Sequence, residues 1–226
     1  MIIYGKQLFL HLLEKHKEKL INIYLAKDIE KDIFNKIVKS GVKIHKVDNK
    51  KAQALARGGN HQGFLAEVCE FEFASLNEIK KQDFLVVLYG LSDVGNIGSI
   101  VRTTYALGGG GVIMISKSAS MEGIIRASSA AAYELPITLV SDGLSLLNEL
   151  KQLGFKIYGS DAKGKNPSEC KFGKKTVLVM GSEGEGIPRK ALEKCDENLG
   201  INMREGWDSL NVSVAFGILF DRIMNG

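Results

Sequence analysis

Apolar runs of strand length alternate with segments of helical periodicity through the last two thirds of the chain. The apolar runs predict strands at residues 84–89, 112–115, 137–140, 156–158 and 177–180. The periodic segments predict helices at residues 97–107, 144–153, 188–194 and 212–224. Continuous apolar runs suit strands that are buried on both faces. Since strands that alternate with helices form parallel sheets, the pattern predicts an α/β fold with a parallel sheet.

Shorter elements of the same two kinds occupy the N-terminal part of the chain. Helical spacing is found at residues 7–13 and 33–38, and strand-like runs lie at residues 22–25, 42–47 and 64–68. Residues 71–78 show little sustained periodicity. We therefore predict a small α/β domain at residues 1–71, a linker at 72–83 and a larger α/β domain at 84–226. Such a division suits a chain of 226 residues with 45% hydrophobic content.

Polar side chains mark the starts of two predicted helices. Asn96 precedes the helix at 97–107, and Ser209 and Asn211 precede the apolar helix at 212–224. Such residues cap helices by accepting hydrogen bonds from free backbone N–H groups, so capping alone would explain them. Arg102 is harder to explain. Its helical neighbours are apolar or small, and a guanidinium in such company needs a partner.

Positive charge is concentrated in the N-terminal domain. Residues 1–71 hold 13 Lys and Arg against 8 Asp and Glu, whereas the rest of the chain holds 17 against 18. Clustered cations of this kind are candidates for contacts with phosphates, which weaken steeply with salt. For any single lysine, a solvated surface is the alternative. The candidates are Lys15, Lys17, Lys19, Lys43, Lys46, Lys50, Lys51 and Arg57.

The cysteines and the N-terminus bear on compartment and metal binding. Cys69, Cys170 and Cys195 are odd in number, far apart and without Cys-x-x-Cys spacing, so the sequence predicts neither disulfides nor a metal site. This cysteine usage favours the cytoplasm. Lys6 and His11 interrupt the first apolar stretch, and no long hydrophobic region follows. We therefore expect neither a signal peptide nor association with a membrane.

Three glycine-rich segments can be judged against known nucleotide-binding motifs by their position relative to the predicted strands and helices. Residues 108–111 follow a helix, whereas a dinucleotide fingerprint follows a strand and opens a helix. Residues 173–176 lack the upstream glycine of a P-loop and precede a strand, which disfavours ATP hydrolysis. Residues 181–186 do follow a predicted strand, and their glycines would let the backbone approach a flat ligand closely.

Three polar segments follow strand-like runs in a fixed order. The first comprises Asn96, Arg102 and Thr103, the second is Gly181-Ser182-Glu183-Gly184, and the third is Ile201-Asn202-Met203 followed by Ser209-Leu210-Asn211-Val212-Ser213-Val214-Ala215. Together they resemble the three motifs of the SpoU/TrmH family of RNA ribose 2′-O-methyltransferases, in the SPOUT class. The resemblance covers essentially the whole chain. The segments Ile3-Tyr4-Gly5 and Asn60-His61-Gln62-Gly63 are similar to the bacterial branch that modifies a guanosine of 23S ribosomal RNA.

The resemblance implies a fold, a cofactor and partners. The fold is a small α/β N-terminal RNA-binding domain followed by a parallel-sheet SPOUT domain with a C-terminal trefoil knot, a threading that general topology rules would not predict. The cofactor is S-adenosyl-L-methionine, the partner is ribosomal RNA, and the assembly is a homodimer with each site near the subunit interface.

The resemblance also nominates catalytic residues. Methyl transfer needs a ribose hydroxyl in line with the donor methyl and stabilisation of the negative charge that develops on oxygen. Because arginine is always protonated, we assign Arg102 to orienting the ribose and phosphate and to stabilising the alkoxide, although family mechanisms make it the base. Asn96, Ser209 and Asn211 would position substrate or Arg102 by hydrogen bonds. Glu183 would hold the polar network or the cofactor loop, with a simple turn carboxylate as the alternative.

Other assignments concern the cofactor and the histidines. The family binds its cofactor mostly through main-chain groups, which correspond to Gly181, Ile201 and Leu210.

All four histidines, His11, His16, His45 and His61, lie in the N-terminal domain. A histidine base would therefore have to come from that domain or from a second subunit. His61, in the polar and glycine-rich segment 57–63, either contacts RNA or satisfies local backbone groups.

The third motif departs from the family pattern. Asn202 stands where the family usually has proline, and the following glycine is displaced to Gly206, before Trp207. Trp207 would either stack on a base or cover the pocket.

The alternatives to 23S ribosomal RNA methylation are a transfer-RNA substrate and a noncatalytic RNA-binding protein with the same fold. Binding of S-adenosylmethionine would separate the noncatalytic protein from the enzymes.

Overall fold

The structure, a computed structural model, describes residues 1–206 and 209–226. These residues form two β-sheets with helices packed against them. The N-terminal part contains β1 (Ile2–Tyr4), α1 (Lys6–Lys15), β2 (Leu20–Leu25), α2 (Lys31–Lys39), β3 (Lys43–Lys46), α3 (Asn49–Leu55) and β4 (Phe64–Val68). Its sheet has the order β1-β4-β2-β3, with β4 antiparallel to β1 and β2 and with β2 parallel to β3.

The C-terminal part is a six-stranded sheet with helices between its strands. It contains α4 (Leu76–Ile79), β5 (Leu85–Tyr89), α5 (Val94–Ala106), β6 (Gly111–Ile115), α6 (Met121–Ala127), β7 (Ile137–Val140), α7 (Gly143–Gln152), β8 (Lys156–Lys165), β9 (Thr176–Gly181), α8 (Arg189–Leu192), β10 (Glu197–Leu199) and α9 (Val212–Asn225). The strand order is β10-β8-β9-β5-β6-β7, and every neighbouring pair is parallel. The predicted α/β class with a parallel sheet is confirmed.

The central strands of this sheet explain the continuous apolar runs in the sequence. In β5, Val86 and Leu88 point into the larger hydrophobic core, while Leu85 and Val87 point into a second core on the opposite face. All four side chains are buried. Because successive strand residues face opposite sides, a strand covered on both faces needs apolar residues at every position.

The order of strands places a crevice at the carboxyl ends of β5 and β9. From β5 the chain proceeds outward through β6 and β7, then crosses to the other side of the sheet to form β8 and β9. Tyr89 and Gly181, at the ends of β5 and β9, are register partners. Open α/β sheets bind ligands where the strand order reverses in this way, so the fold points to this edge.

The sequence pattern missed two short elements of the C-terminal part and misplaced one end of two others. The sequence pattern missed α6 and β10, and α5 begins at Val94 rather than at residue 97. Helix α6 holds only seven residues, and β10 holds three, which is too short for periodicity to be distinctive. Strand β8 continues to Lys165 through polar residues, whereas only residues 156–158 were predicted.

A short helix lies in the segment predicted as a linker. Helix α4 begins with a capping box, in which Ser75 Oγ accepts from the N–H of Glu78 at 3.2 Å and the Glu78 carboxylate accepts from the N–H of Ser75 at 2.9 Å. The expectation of little regular structure was wrong here. Four residues cannot show a helical period, although Ser-x-x-Glu is itself a helix-start signal. The domain boundaries stay a prediction.

The segment after β10 runs in backbone contact with the end of β8. The N–H of Gly200 donates to the carbonyl of Lys165 at 2.9 Å. A Cβ on Gly164 would lie 2.4 Å from the carbonyl carbon of Leu199, so only glycine permits this approach. Helix α9 then packs against α5. The trefoil threading stays a prediction.

Within the described residues, no helix is both long and apolar enough to cross a membrane.

Candidate active site

A pocket of about 200 Å³ opens at the carboxyl edge of the larger sheet. The three residues predicted to bind the cofactor, Gly181, Ile201 and Leu210, all line it. They come from the end of β9, the segment after β10 and the residues before α9. Ile201 and Leu210 are half-buried rather than core residues, because the pocket takes the place of packed side chains on one side.

Backbone forms much of the wall of this pocket. Gly181 is the last residue of β9, and a Cβ there would lie 2.1 Å from the carbonyl carbon of Gly186. The N–H of Gly186 donates to the carbonyl of Ser182 at 3.0 Å, which folds the loop back onto the strand. A Cβ on Gly200 would lie 2.6 Å from the carbonyl oxygen of Gly164. The glycines of this region therefore serve close backbone packing at the edge of the pocket.

Three predicted catalytic residues meet in one hydrogen-bonded cluster, and one of them, Glu183, lines the pocket. Nδ2 of Asn96 donates to Oε1 of Glu183 at 3.0 Å. Nδ2 of Asn211 donates to Oδ1 of Asn96 and to Oε1 of Glu183, both at 2.9 Å. Glu183 and Asn211 are exposed and Asn96 is half-buried, so the cluster is accessible from solvent. We call Asn96, Glu183 and Asn211 the polar triad.

Asn211 acts in the polar triad and as a helix cap at once. Its Oδ1 accepts from the N–H of Ser213 at 3.0 Å and from the N–H of Val214 at 3.3 Å. Its Nδ2 is thereby left to face the triad. The capping explanation for Asn211 and the functional one are therefore both compatible with a single orientation of the side-chain amide.

Asn96 does not cap its helix, and that expectation was wrong. The cap of α5 is Asp93, whose Oδ1 accepts from the N–H of Asn96 at 2.7 Å. Asn96 lies instead in the first turn. Because Asp93 caps the helix, the Asn96 side-chain amide is not used as a cap and bonds instead to Glu183 and Asn211.

Among the described residues, neither Arg102 nor Ser209 forms a hydrogen bond to the polar triad. Arg102 is exposed, and its Nη1 donates to Oγ of Ser129 at 3.4 Å. Its expected position among apolar neighbours was wrong, because each helical residue is rotated by about 100° from the last and Arg102 points away from the face that buries Val101. Arg102 is not among the lining residues of the pocket, whereas exposed Ser209 is. To the described residues, the Ser209 hydroxyl makes no hydrogen bond.

Sequence reasoning missed several residues around the site. Ser160 and Asp161 line the pocket from the second half of β8, where the sequence carries no apolar signal. Ser129, the partner of Arg102, has a positive φ of 53°, which no pattern revealed. Trp207 lies outside the described residues, as does Asp208.

The loop at residues 57–63 also has a defined geometry. His61 is buried, and its Nδ1 accepts from the N–H of Gly63 at 3.0 Å. Of the two explanations for His61, the structure shows the local backbone contact. Asn60 and Gln62 on either side are exposed, so they present the polar surface of this loop.

A parallel sheet with a pocket at the carboxyl ends of its strands defines an α/β protein that binds its ligand at the sheet edge. The sequence model of the SpoU rRNA methylase family matches residues 83–221, and that of the RNA 2′-O ribose methyltransferase substrate-binding domain matches residues 2–74. The chain therefore belongs to the SpoU rRNA methylase family.

Individual relatives support this membership. The chain is 32% identical to a putative TrmH family tRNA/rRNA methyltransferase, YacO, of Bacillus subtilis, over 96% of this chain and 92% of the relative. It is 30% identical to the 23S rRNA (guanosine-2′-O-)-methyltransferase RlmB of Vibrio vulnificus, over 98% and 95%. The crystal structure of AviRb from Streptomyces viridochromogenes with AdoMet matches with a TM-score of 0.79 at 21% identity, over 99% of this chain and 89% of that one.

Proposed function

We propose that this chain transfers a methyl group from S-adenosyl-L-methionine to the ribose 2′-oxygen of a guanosine in 23S ribosomal RNA. The observation that carries the proposal is the polar triad of Asn96, Glu183 and Asn211 beside a pocket lined by Gly181, Ile201 and Leu210. Family membership supports RNA methylation. The relative RlmB, named for 23S guanosine and similar over nearly the full length of both chains, supports the finer substrate.

The pocket residues fit this cofactor. Met180, Leu199 and Leu219 offer apolar surface for a purine ring, and Gly181 and Gly200 bring backbone to the wall. Glu183 at the rim supplies a carboxylate near a cationic ligand. When bound, S-adenosylmethionine supplies an electrophilic methyl group on a sulfonium.

Side chains of this protein position the ribose and stabilise the charge that develops on its oxygen. The polar triad holds Asn96 and Glu183 in fixed orientations beside the pocket, which lowers the cost of positioning a ribose. Ser209 lines the same pocket and is positioned to bond to substrate. Arg102 orients ribose and phosphate and stabilises the forming alkoxide, because a planar, permanently charged guanidinium suits both tasks.

The domain division follows from the same proposal. Residues 1–71 bind RNA, residues 72–83 connect, and residues 84–226 carry the methyl transfer. Of the eight candidate cations, Lys19 pairs with Glu72 at 2.9 Å. The other seven are exposed and have no carboxylate partner among the described residues. Unpaired surface cations are available to release counterions on binding phosphates.

We also propose a homodimer that uses the outer faces of α5 and α9. Val214 and Ile218 are exposed one helical turn apart on α9, at 52% and 41% of their maximal exposure, and Tyr105 on the adjacent α5 is 48% exposed. Arg102 lies three residues before Tyr105 and therefore shares its face. A partner on this face would cover the apolar residues and place Arg102 at the interface. Sedimentation equilibrium should give a dimer mass, and Ile218→Glu should lower it toward the monomer.

One experiment tests the methylation proposal. Purified protein is titrated with S-adenosylmethionine, then given labelled donor with unmodified 23S ribosomal RNA or transfer RNA, and the 2′-O-methyl positions are mapped. We expect label at one guanosine in 23S ribosomal RNA. Label only in transfer RNA, one of the two RNA classes in the name of YacO, would overturn the ribosomal-RNA substrate and identify a transfer-RNA methyltransferase. RNA binding without cofactor affinity would identify a noncatalytic RNA-binding protein and overturn the proposal.

A further inference from the structure

Two histidines of the N-terminal part and one glutamate of the C-terminal part converge between the two sheets. Nε2 of His11 and Nε2 of His16 each lie 2.9 Å from Oε1 of Glu134. One ligand atom from each of the three residues lies within 4.8 Å of the others. We propose that His11, His16 and Glu134 form a binding site for a divalent transition-metal ion of the Zn²⁺ type, which joins the N-terminal part to the C-terminal part. We call these three residues the junction site.

The donor set is chemically suited to such an ion. Two imidazole nitrogens and one carboxylate oxygen are a common ligand set for Zn²⁺, which bonds to them at about 2.0 to 2.2 Å. Each imidazole nitrogen lies 2.9 Å from Oε1 of Glu134, and the three ligand atoms lie within 4.8 Å of one another, so an ion bound among them requires the side chains to adjust to these bond lengths. Soft or oxygen-only ions are disfavoured, because thiolates are absent from the site and hard cations prefer an all-oxygen set.

Groups around the junction site support binding of a cation. Nδ1 of His16 lies 3.8 Å from Oε1 of Glu18, which is too long for a hydrogen bond but places a second carboxylate near the cation. Oε1 of Glu134 lies 2.9 Å from both imidazole nitrogens, so the carboxylate is placed to share a cation with the two rings.

The junction site is partly exposed, so an ion can enter it from solvent, and partly buried, so its side chains are held in place by packing. The side chains of His11, His16 and Glu134 are 34%, 16% and 21% exposed. A solvent-facing side leaves room for a water as the fourth ligand, as in zinc sites with three protein ligands.

The position of Glu134 connects the junction site to the candidate active site. Glu134 follows a turn in which Ser129 and Ala130 have positive φ values of 53° and 72°, and Ser129 Oγ accepts from Arg102. The 3-10 turn Ala131–Tyr133 separates this turn from Glu134, so a metal held by His11, His16 and Glu134 would fix the N-terminal part relative to the segment that contacts Arg102. The inference stands on the ligand geometry and does not depend on the methylation proposal.

The test uses the full-length, untagged, metal-free protein. Binding of Zn²⁺ is measured by competition with a chromophoric chelator, and the environment of the ion by the visible spectrum of the Co²⁺ form. We expect one ion per chain, a nitrogen and oxygen ligand spectrum, and a rise in Tm on adding Zn²⁺. His11→Gln and Glu134→Gln should each weaken binding at least about 10-fold, in line with loss of one ligand.

His45→Gln is the matched control. His45 is half-buried and bonds to Asn22 at 3.1 Å in the N-terminal sheet, so its loss should leave binding unchanged. Circular dichroism establishes that each variant is folded, and the partly exposed His11 offers a second variant if Glu134→Gln is unstable. Absence of stoichiometric binding, unchanged binding in both junction variants, or a thiolate charge-transfer band for Co²⁺ would overturn the proposal and leave the junction site as a hydrogen-bonded contact.

Discussion

Asn96 and Asn211 lie 115 residues apart in the chain, yet Nδ2 of Asn211 donates to Oδ1 of Asn96 at 2.9 Å. The bond joins the first turn of α5 to the cap of α9, and both amides reach Glu183 after β9. Three segments that resembled separate motifs in the sequence thus form one network. The network exists because the parallel sheet brings the carboxyl ends of β5 and β9 side by side.

Replacement of Asn211 by aspartate should separate its role as the cap of α9 from its role as a donor in the polar triad. In Asn211→Asp the carboxylate can still accept from Ser213 and Val214 and cap α9, but it can no longer donate to Asn96 or Glu183. It also places a second carboxylate beside Glu183. We expect unfolding free energy within about 1 kcal/mol of the parent and a fall in methyl transfer of about 100-fold, measured by urea unfolding and by single-turnover labelling.

Asn166→Asp provides the control for this change. Asn166 caps the short 3-10 turn Pro167–Glu169 by accepting from Ser168, and the variant should keep both stability and activity. Methyl transfer near the parent rate in Asn211→Asp would contradict a role for the polar triad in catalysis.

Replacement of Arg102 by lysine tests the role of its planar charge. Arg102→Lys keeps a positive charge but loses the fork that can hold ribose and phosphate together. We expect turnover to fall by roughly 100-fold, with S-adenosylmethionine affinity unchanged because Arg102 does not line the pocket. Steady-state labelling and calorimetric titration measure the two quantities.

The control for Arg102 is another exposed arginine. The side chain of Arg189 is 92% exposed and pairs with Glu193, directly after the end of α8, so Arg189→Lys should leave turnover unchanged. If Arg102→Lys retained near-normal turnover, the assignment of Arg102 to the reaction would be wrong.

Much of the fold followed from local patterns, whereas much of the site did not. The runs at β5 and β9 are apolar at every position because both faces are covered, and this signal is strong. Asn96, Glu183 and Asn211 could be named from motifs, but their convergence depends on strand order. Composition and periodicity do not determine strand order.

Residues that act through unusual backbone geometry escaped prediction. Ser129 contacts Arg102 from a positive-φ turn, and no side-chain pattern marks such a turn. Asp93 caps α5 three residues before Asn96, and two polar candidates so close together cannot be ranked without the backbone. His16 and Glu134 meet across the two sheets at 2.9 Å, a contact 118 residues apart that only the tertiary structure reveals.

Gly98 and Gly217 should respond in opposite directions to the same substitution. A Cβ on Gly98 would lie 2.4 Å from Cβ of Ala127 and 2.9 Å from the backbone of Ser128, so Gly98→Ala forces α5 and α6 apart. Around Gly217, in α9, no described atom beyond its chain neighbours and the backbone of its own helix lies within 4 Å of an added Cβ. We expect Gly98→Ala to destabilise the protein by about 1 to 3 kcal/mol and Gly217→Ala to stabilise it by roughly 0.5 to 1 kcal/mol, measured by urea unfolding.

This pair carries its own control, since both changes gain the same helix propensity. Gly98→Ala should also lower methyl transfer, because α6 leads to the turn of Ser129 that contacts Arg102. Equal stabilisation by both substitutions would show that α5 and α6 are not packed as closely as the structure has them.

Tyr133 places a buried hydroxyl where no described side chain or backbone group bonds to it. Burial, together with Cys69 and Glu70 nearby, raises the pKa of Tyr133 to about 12. Removal of an unsatisfied hydroxyl costs no hydrogen bond, so Tyr133→Phe should be neutral or stabilising by up to about 1 kcal/mol at pH 7. Tyr158→Phe, which removes a hydroxyl that donates to the carbonyl of Lys171 at 3.4 Å, should cost about 1 kcal/mol.

The raised pKa of Tyr133 adds a pH dependence with a definite sign. Tyrosine in the unfolded chain ionises near pH 10, whereas Tyr133 in the folded protein stays neutral until about pH 12. Its contribution to stability is therefore complete below pH 10 and is lost as pH rises toward 12. The stability of Tyr133→Phe relative to the parent should grow over that interval, as followed by urea midpoints from pH 8 to 11. A constant difference would mean that the Tyr133 hydroxyl is not desolvated in the folded protein.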